Sequence, residues 1–228
     1  MKKLATVITI SFCCFILLSS CEKNKNTQTP FPPAVEESEE STDVDLPPVV
    51  MVDGRLYMDM GYVNSSVTCG TADGEITSSV DSSKIPEKDN ESNFGTGYEY
   101  QLWDTAHINV KINDKWIIFQ DIAISSWTIP DCVAHFTAEV TKIQGDSLLV
   151  TVTENPDKID WLLGELIKPV RLPIDNLDYS KDGKTVTAEG LKGCKVEVWF
   201  DGTLENGDPE TSYPAEPGQI YKIRVIED

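Results

Sequence analysis

Basic side chains are scarce in this chain. Lys and Arg total 19 against 38 Asp and Glu, a formal net charge of −19, which excludes a nucleic-acid binder relying on a basic footprint. Histidine is scarcer still. Only His107 and His135 occur, both in alternating strand-like text, and neither has the cysteine or carboxylate spacing of a zinc set. There is no Gly-x-Ser-x-Gly, so the nucleophile elbow of one large hydrolase class is missing. Long hydrophobic runs are missing too: the longest, Leu4–Leu18, falls short of the ~20 residues of a comfortable membrane span. Carboxylates are the opposite case. Between Pro47 and Asp228 there are 31, too many for the sequence to single out a catalytic pair. Hydrophobic residues at 40% describe a folded, soluble body.

What is present begins with an address. Lys2 and Lys3 precede the apolar Leu4–Leu18, and the stretch closes on Leu18-Ser19-Ser20-Cys21. A short positive region, an apolar core and small residues at its end predict a secretory signal peptide over residues 1–20. The last four residues have the form of a bacterial lipobox, which makes Cys21 the expected lipidation site, its thiol carrying a diacylglyceryl group. Two or more acyl chains hold a protein stably at a bilayer, whereas one is marginal. The expected location is therefore extracytoplasmic, on the cell membrane through an N-terminal lipid. After cleavage 17 basic residues face 38 acidic ones, for a charge of −21. Residues 21–46 read as a tether: Pro30, Pro32 and Pro33 are followed by Glu36, Glu37, Glu39 and Glu40, with almost nothing to bury. Such a stalk reaches roughly 25–30 Å.

The remaining 182 residues, Pro47–Asp228, are strand-like nearly throughout. Val49–Val52, Asp53-Gly54 and Arg55–Met58 read as a hairpin with a two-residue turn. Glu75–Val80 reads as a short strand, and Asp81–Gly97 as a polar surface loop. His107–Ile112 and Lys115–Phe119 flank the turn Asn113-Asp114. His135–Ile143 and Ser147–Val152 flank Gly145-Asp146. Asn155-Pro156 suits the start of a helix over Asp157–Ile167, with Pro169 beyond its end. Val170–Ile174, Thr185–Ala188, Lys195–Phe200 and Ile220–Ile226 complete the strands. The expectation is a mainly β protein of two small modules, 47–129 and 130–228, the second an OB-like barrel with one short helix. A sandwich is the alternative for that half.

The residues Pro47-Pro48-Val49, Cys69-Gly70, Asp73 to Val80, Ser92 to Gly95, Tyr100-Gln101 and Lys115-Trp116 carry a resemblance. In them the first half is similar to segments of uncharacterised clostridial-type lipoproteins and to the extracellular tails of BlaR1-like membrane peptidases. Those peptidases use His-Glu-x-x-His, which is absent here, so no proteolytic activity comes with the resemblance. Val196 to Gly202, Pro214-Ala215 and Ile220 to Ile223 resemble a small OB-like β-barrel family of secreted bacterial proteins with no assigned reaction.

Two segments are candidates for ligand chemistry. Asn93, Phe94, Tyr98 and Tyr100 lie in a glycine-flanked aromatic loop of the kind that builds a binding platform, although the rings equally suit a place under the loop. Asp178, Ser180, Asp182 and Glu189 match the oxygen positions of a calcium loop, with Gly183 at the bend. Pro173 before it and Lys195–Phe200 after it leave no helix on either flank, so a polar β-turn at Asp182-Gly183 is the favoured reading and no metal or other cofactor is expected. Of the cysteines outside the signal and Cys21, Cys69, Cys132 and Cys194 remain, and their spacing does not choose among three disulfide pairings or none. The expected function is a surface-anchored, non-catalytic binding or envelope-sensing module. Its partners would be the membrane, through the lipid, and a protein or envelope component, with no nucleic acid. The alternatives are an extracellular hydrolase using a carboxylate pair and a weak calcium-binding surface protein.

Overall fold

The computed structural model describes residues 44–66, 70–154, 166, 168–174, 177–178, 180–181, 184–185, 188–205 and 213–226. They belong to one unit, Thr42–Asp228, and it is mainly β: the one described helix is a single 3₁₀ turn, Ala188–Leu191.

The first module contains β1 (Val49–Val52), β2 (Arg55–Val63), β3 (Gly74–Glu75), β4 (Ser78–Ser79), β5 (Glu91–Ser92), β6 (Glu99–Leu102), β7 (His107–Ile112) and β8 (Lys115–Asp121). Its sheet runs in the order β3-β6-β7-β8-β2-β1-β5-β4. The outermost strands β3 and β4 are two pieces of one short stretch, separated only by Ile76-Thr77. On one side the Ile76 amide donates to the Tyr98 carbonyl and Gly97 donates back to Ile76. On the other, Thr77 and Ser78 donate to Asn90, and Val80 to Ser92. One stretch thus serves both edges and curls the sheet into a small barrel. Ile76, at the point where the strand changes partner, is wholly buried beside Val50, Val52, Tyr57, Ile108, Val110 and Phe119.

The second module contains β9 (Ala134–Gln144), β10 (Ser147–Glu154), β11 (Val170–Pro173), β12 (Leu177–Asp178), β13 (Ser180–Lys181), β14 (Lys184–Thr185), β15 (Lys195–Phe200) and β16 (Ile220–Ile226). Its main sheet runs β11-β10-β9-β15-β16-β12. Again the two ends are neighbours in sequence, because β12 follows β11 after three residues and pairs in parallel with β16. Counting β11 and β12 as one strand gives the order 1-2-3-5-4-1, with only strands 3 and 5 parallel, which is the OB arrangement expected for this half. Alternate residues point inward: Phe136, Ala138 and Val140 from β9, Leu148 and Val150 from β10, Val196, Val198 and Phe200 from β15. Leu191, on the 3₁₀ turn, is buried in the same core.

Turn chemistry sets the three predicted hairpins. Asp53 and Gly54 have φ of 50° and 71°, and Asn113 and Asp114 have 50° and 62°. Two successive left-handed residues make the type I′ turn whose twist matches the strands. Gly145, at 60°, opens the β9–β10 turn.

Three expectations change. The stretch 75–80 is two short pieces with different partners instead of one strand. The segment 81–97 is not wholly a surface loop: it contains β5, and Glu91, Ser92 and Asn93 are buried. Its polar residues are inside because they bond to turns of the backbone. The Glu91 carboxylate accepts from the Glu87 amide, and the Ser92 hydroxyl donates to the Gly95 carbonyl. The strand β6, which follows closely on Gly95 and Gly97, was not expected. The helix expected over Asp157–Ile167 lies almost entirely outside the described residues.

The barrels meet along a seam of Ile118, Val133 and Cys132 with Met60, Tyr62, Trp199 and Tyr221 around them. Tyr62 and Tyr221 pack edge to face at 5.0 Å, and the Tyr221 hydroxyl accepts from the Val63 amide at 3.1 Å.

Candidate functional site

The glycine-flanked aromatic loop is built into the first barrel. Phe94 lies 5.5 Å from both Tyr98 and Phe119, against the core. Tyr100 is buried and donates from its hydroxyl to Asn90 Oδ1 at 2.9 Å. Asn93 acts as a three-way staple: its Oδ1 accepts from the Val49 amide at 2.7 Å, and its Nδ2 donates to the Pro47 and Ser82 carbonyls at 3.1 and 3.2 Å. Gly95 and Gly97, at φ of 122° and 84°, take the left-handed positions that let the rings fold inward. These four side chains hold the barrel together.

The calcium-loop candidates fall in separate pieces of structure. Asp178 is in β12, Ser180 in β13 and Glu189 in the 3₁₀ turn, while Asp182 lies outside the described residues. Ser180 pairs with Thr185, and Lys181 with Lys184, so a two-residue connection joins β13 to β14. Among the described residues no three His, Cys, Asp or Glu side chains come together to hold a metal. Cys69 and Cys21 also lie outside the described residues. Cys132 is buried, and Cys194 is a half-buried free thiol 3.5 Å from the Gly190 carbonyl.

A cleft of about 670 Å³ opens where the β6–β7 turn faces the chain crossing from β8 to β9. Trp103, Asp104 and His107 form one wall, Thr128–Cys132 another, and Ser66 contributes to the lining. The first wall is a tight turn organised by one carboxylate. Asp104 Oδ1 accepts from the Ala106 amide at 2.7 Å and the His107 amide at 2.8 Å, and both carboxylate oxygens lie 3.0 Å from His107 Nδ1. That geometry places a proton on Nδ1, between the ring and the carboxylate. Burial alone would raise the Asp104 carboxyl, but these bonds together hold it below the ordinary range. Arg55 braces the turn from outside, donating to the Thr105 carbonyl at 2.9 Å and pairing with Asp121.

The second wall is held by β8 and the seam. Gln120, opposite His107 in the ladder, donates to the Ser126 carbonyl at 2.9 Å. The Cys132 carbonyl accepts from the Ser65 amide at 2.9 Å and from the Ser66 hydroxyl at 3.5 Å. The result is a rigid recess with one aromatic, 39% exposed Trp103, on its lip. Two carboxylates and no Lys or Arg line it. Leu102, Ile122 and Trp127, neighbours of these walls in sequence, are also exposed.

Of this set the sequence reading weighed only His107 and Cys132, and neither as a binder. The available signal was Asp104-Thr105-Ala106-His107 beside Trp103, an Asp three residues before a His at a strand entry. A second recess of about 600 Å³ lies at the mouth of the OB barrel, where Arg171 and Glu216 pair at 3.4 Å beside Asp146 and Glu205. Compared with known proteins, the chain matches no protein-family model and no curated protein.

Proposed function

We propose that this is an exported, lipid-anchored binding module that presents a two-barrel body on a flexible stalk and receives a partner in the Trp103–His107 cleft. The observation that carries the reading is the cleft itself: a fixed concavity with an exposed indole, a histidine oriented by a carboxylate and hydroxyls from Ser66 and Thr128. Recesses of this size and mixed lining are the usual sites for ligands. The anchor rests on Lys2-Lys3, the apolar Leu4–Leu18 and Leu18-Ser19-Ser20-Cys21.

A hydrolase reading draws on the same walls, since Ser66, Cys132 and a His107–Asp104 pair share the cleft. The Ser66 hydroxyl, however, is directed at the Cys132 carbonyl. That contact turns the serine hydroxyl to a backbone carbonyl, and binding is the better-supported role.

Cys21→Ala is expected to release the protein from the membrane fraction with its melting temperature unchanged, and native protein with an unmodified Cys21 sulfur would overturn the anchor. For binding, Trp103→Phe should weaken retention of the envelope component captured by wild-type protein, while Tyr213→Phe, at an exposed tyrosine elsewhere, should not. Equal retention by both variants would remove the cleft from the interaction.

A further inference from the structure

We infer that the cleft takes an organic cation, the ammonium of a lysine or the guanidinium of an arginine on a partner polypeptide. This rests on the binding-module reading and adds the chemical class of the ligand. The walls offer mainly acceptors. Asp104 lies 3.0 Å from His107 Nδ1 and holds the ring in place beside it. Asp131 is exposed on the opposite wall, with no hydrogen bond or ion pair to another described residue. The Ser66 and Thr128 hydroxyls accept as readily as they donate. No lysine or arginine lines the recess to neutralise the two carboxylates. An anion would meet no counter-charge, whereas a cation would meet Asp131 and the Asp104–His107 pair.

Trp103 adds a surface that favours the same charge. An indole face attracts ammonium and guanidinium groups through its quadrupole, more strongly when part of the contact is dry, and Trp103 stands on the lip with Ile129 and Pro130 across from it. The protein already uses this contact internally: Arg224 lies 5.3 Å from the Trp199 ring centre, and Lys111 lies 5.9 Å from that of Trp116. Residues 47–228 carry 31 acidic against 15 basic side chains, a net charge of −16 that raises the local concentration of cations around the body, and the cleft gives that attraction one place to become specific.

The test is a titration of the full chain, ¹⁵N-labelled, with the N-acetyl methylamides of lysine and arginine and, in parallel, with N-acetylglucosamine. The five tryptophan indole signals are read separately, Trp103 being assigned through Trp103→Phe. Saturable shifts of Trp103 and the His107 ring by the cations alone are expected. Asp131→Asn, at an exposed position, should weaken them about fivefold, while Glu139→Gln on the second barrel leaves them unchanged. Unsaturable shifts spread over all five indoles, insensitive to Asp131→Asn, would reduce the effect to general attraction and overturn the inference. Saturable shifts with N-acetylglucosamine and none with the cations would overturn the ligand class while leaving the cleft as a binding site. Silence with every probe would remove both.

Discussion

Lys115 of the first barrel and Asp201 of the second are bonded across the seam, with Nζ 2.8 Å from Oδ2. Their surroundings differ sharply. The Asp201 side chain is 3% exposed and that of Lys115 is 45% exposed, so the carboxylate depends on its partners far more than the ammonium does. Asp201 also accepts from the Thr203 amide at 3.0 Å and the Thr203 hydroxyl at 2.7 Å.

Removing either partner should therefore be costly. Asp201→Ala leaves the Thr203 donors without their acceptor, and about 1–3 kcal/mol is expected in chemical denaturation. Lys115→Met keeps the Thr203 bonds but leaves a carboxylate that is 3% exposed without its ammonium, at a comparable or larger cost. Adding Asp201→Asn to Lys115→Met should recover part of that loss, and a double variant no more stable than Lys115→Met would contradict the coupling.

Acid sensitivity follows from the same group. Burial pushes the Asp201 carboxyl up, but Lys115 and Thr203 together hold it below the ordinary range. A depressed folded-state pKa stabilises above the unfolded value of about 3.9 and is lost as pH falls through the folded one. Melting temperature should thus decline below pH about 4, and more shallowly in Asp201→Asn. An unchanged acid limb in that variant would assign the decline to other carboxylates.

Much of the architecture was legible because hairpin chemistry is local. Asp53-Gly54, Asn113-Asp114 and Gly145-Asp146 each announce a two-residue turn, and the observed registers place Val52 opposite Arg55, Ile112 opposite Lys115 and Gln144 opposite Ser147. Closure of the first barrel was not legible. It depends on Ile76 and its neighbours pairing with β6 on one side and β5 on the other, and no local pattern encodes two partners for one strand. The cleft escaped for a related reason: Trp103 and Ile129 meet only through tertiary folding. Asn93 was read as a ligand-binding candidate in an aromatic loop, but its side chain is spent on bonds to Pro47, Val49 and Ser82, all outside that loop.

That staple is directly testable. Asn93 is 5% exposed, and Asn93→Ala strands one amide and two carbonyls in or near the core, with an expected loss of about 2–4 kcal/mol. For a domain of this size that is a fall of roughly 5–15 °C in melting temperature. Asn93→Asp keeps the acceptor for Val49 but turns an oxygen toward two carbonyls, so it should fare no better. A mutant melting within a degree of wild type would show that the loop reorganises without it.

Gly74 faces Tyr100 across the β3–β6 ladder, and the tyrosine ring lies over it. A Cβ at residue 74 would stand 2.3 Å from the Tyr100 hydroxyl oxygen and 2.4 Å from the ring carbon bearing it. Covering a glycine with an aromatic from the neighbouring strand recovers packing that the glycine lacks. Gly74→Ala must displace a ring that is buried and bonded to Asn90, at a cost of about 1–3 kcal/mol. Combined with Tyr100→Leu, the alanine should cost much less than it does alone. Full additivity in that double-mutant cycle would mean that the ring and the glycine are not coupled.

At the alkaline end the seam itself becomes the sensor. Burial raises the Tyr221 hydroxyl to about 12, against about 10 for an ordinary tyrosine. A group that holds its proton longer in the folded state stabilises fully below its unfolded pKa and loses that contribution as pH rises toward the folded one. Between pH about 10 and 12 the unfolded chain releases this proton first, so stability should fall across that window. Tyr221→Phe removes the titration along with the acceptor for the Val63 amide. It should therefore start about 1 kcal/mol lower at pH 7 and then lose less on the way to pH 12. Curves for the two proteins that stay parallel through that range would locate the alkaline transition away from the seam.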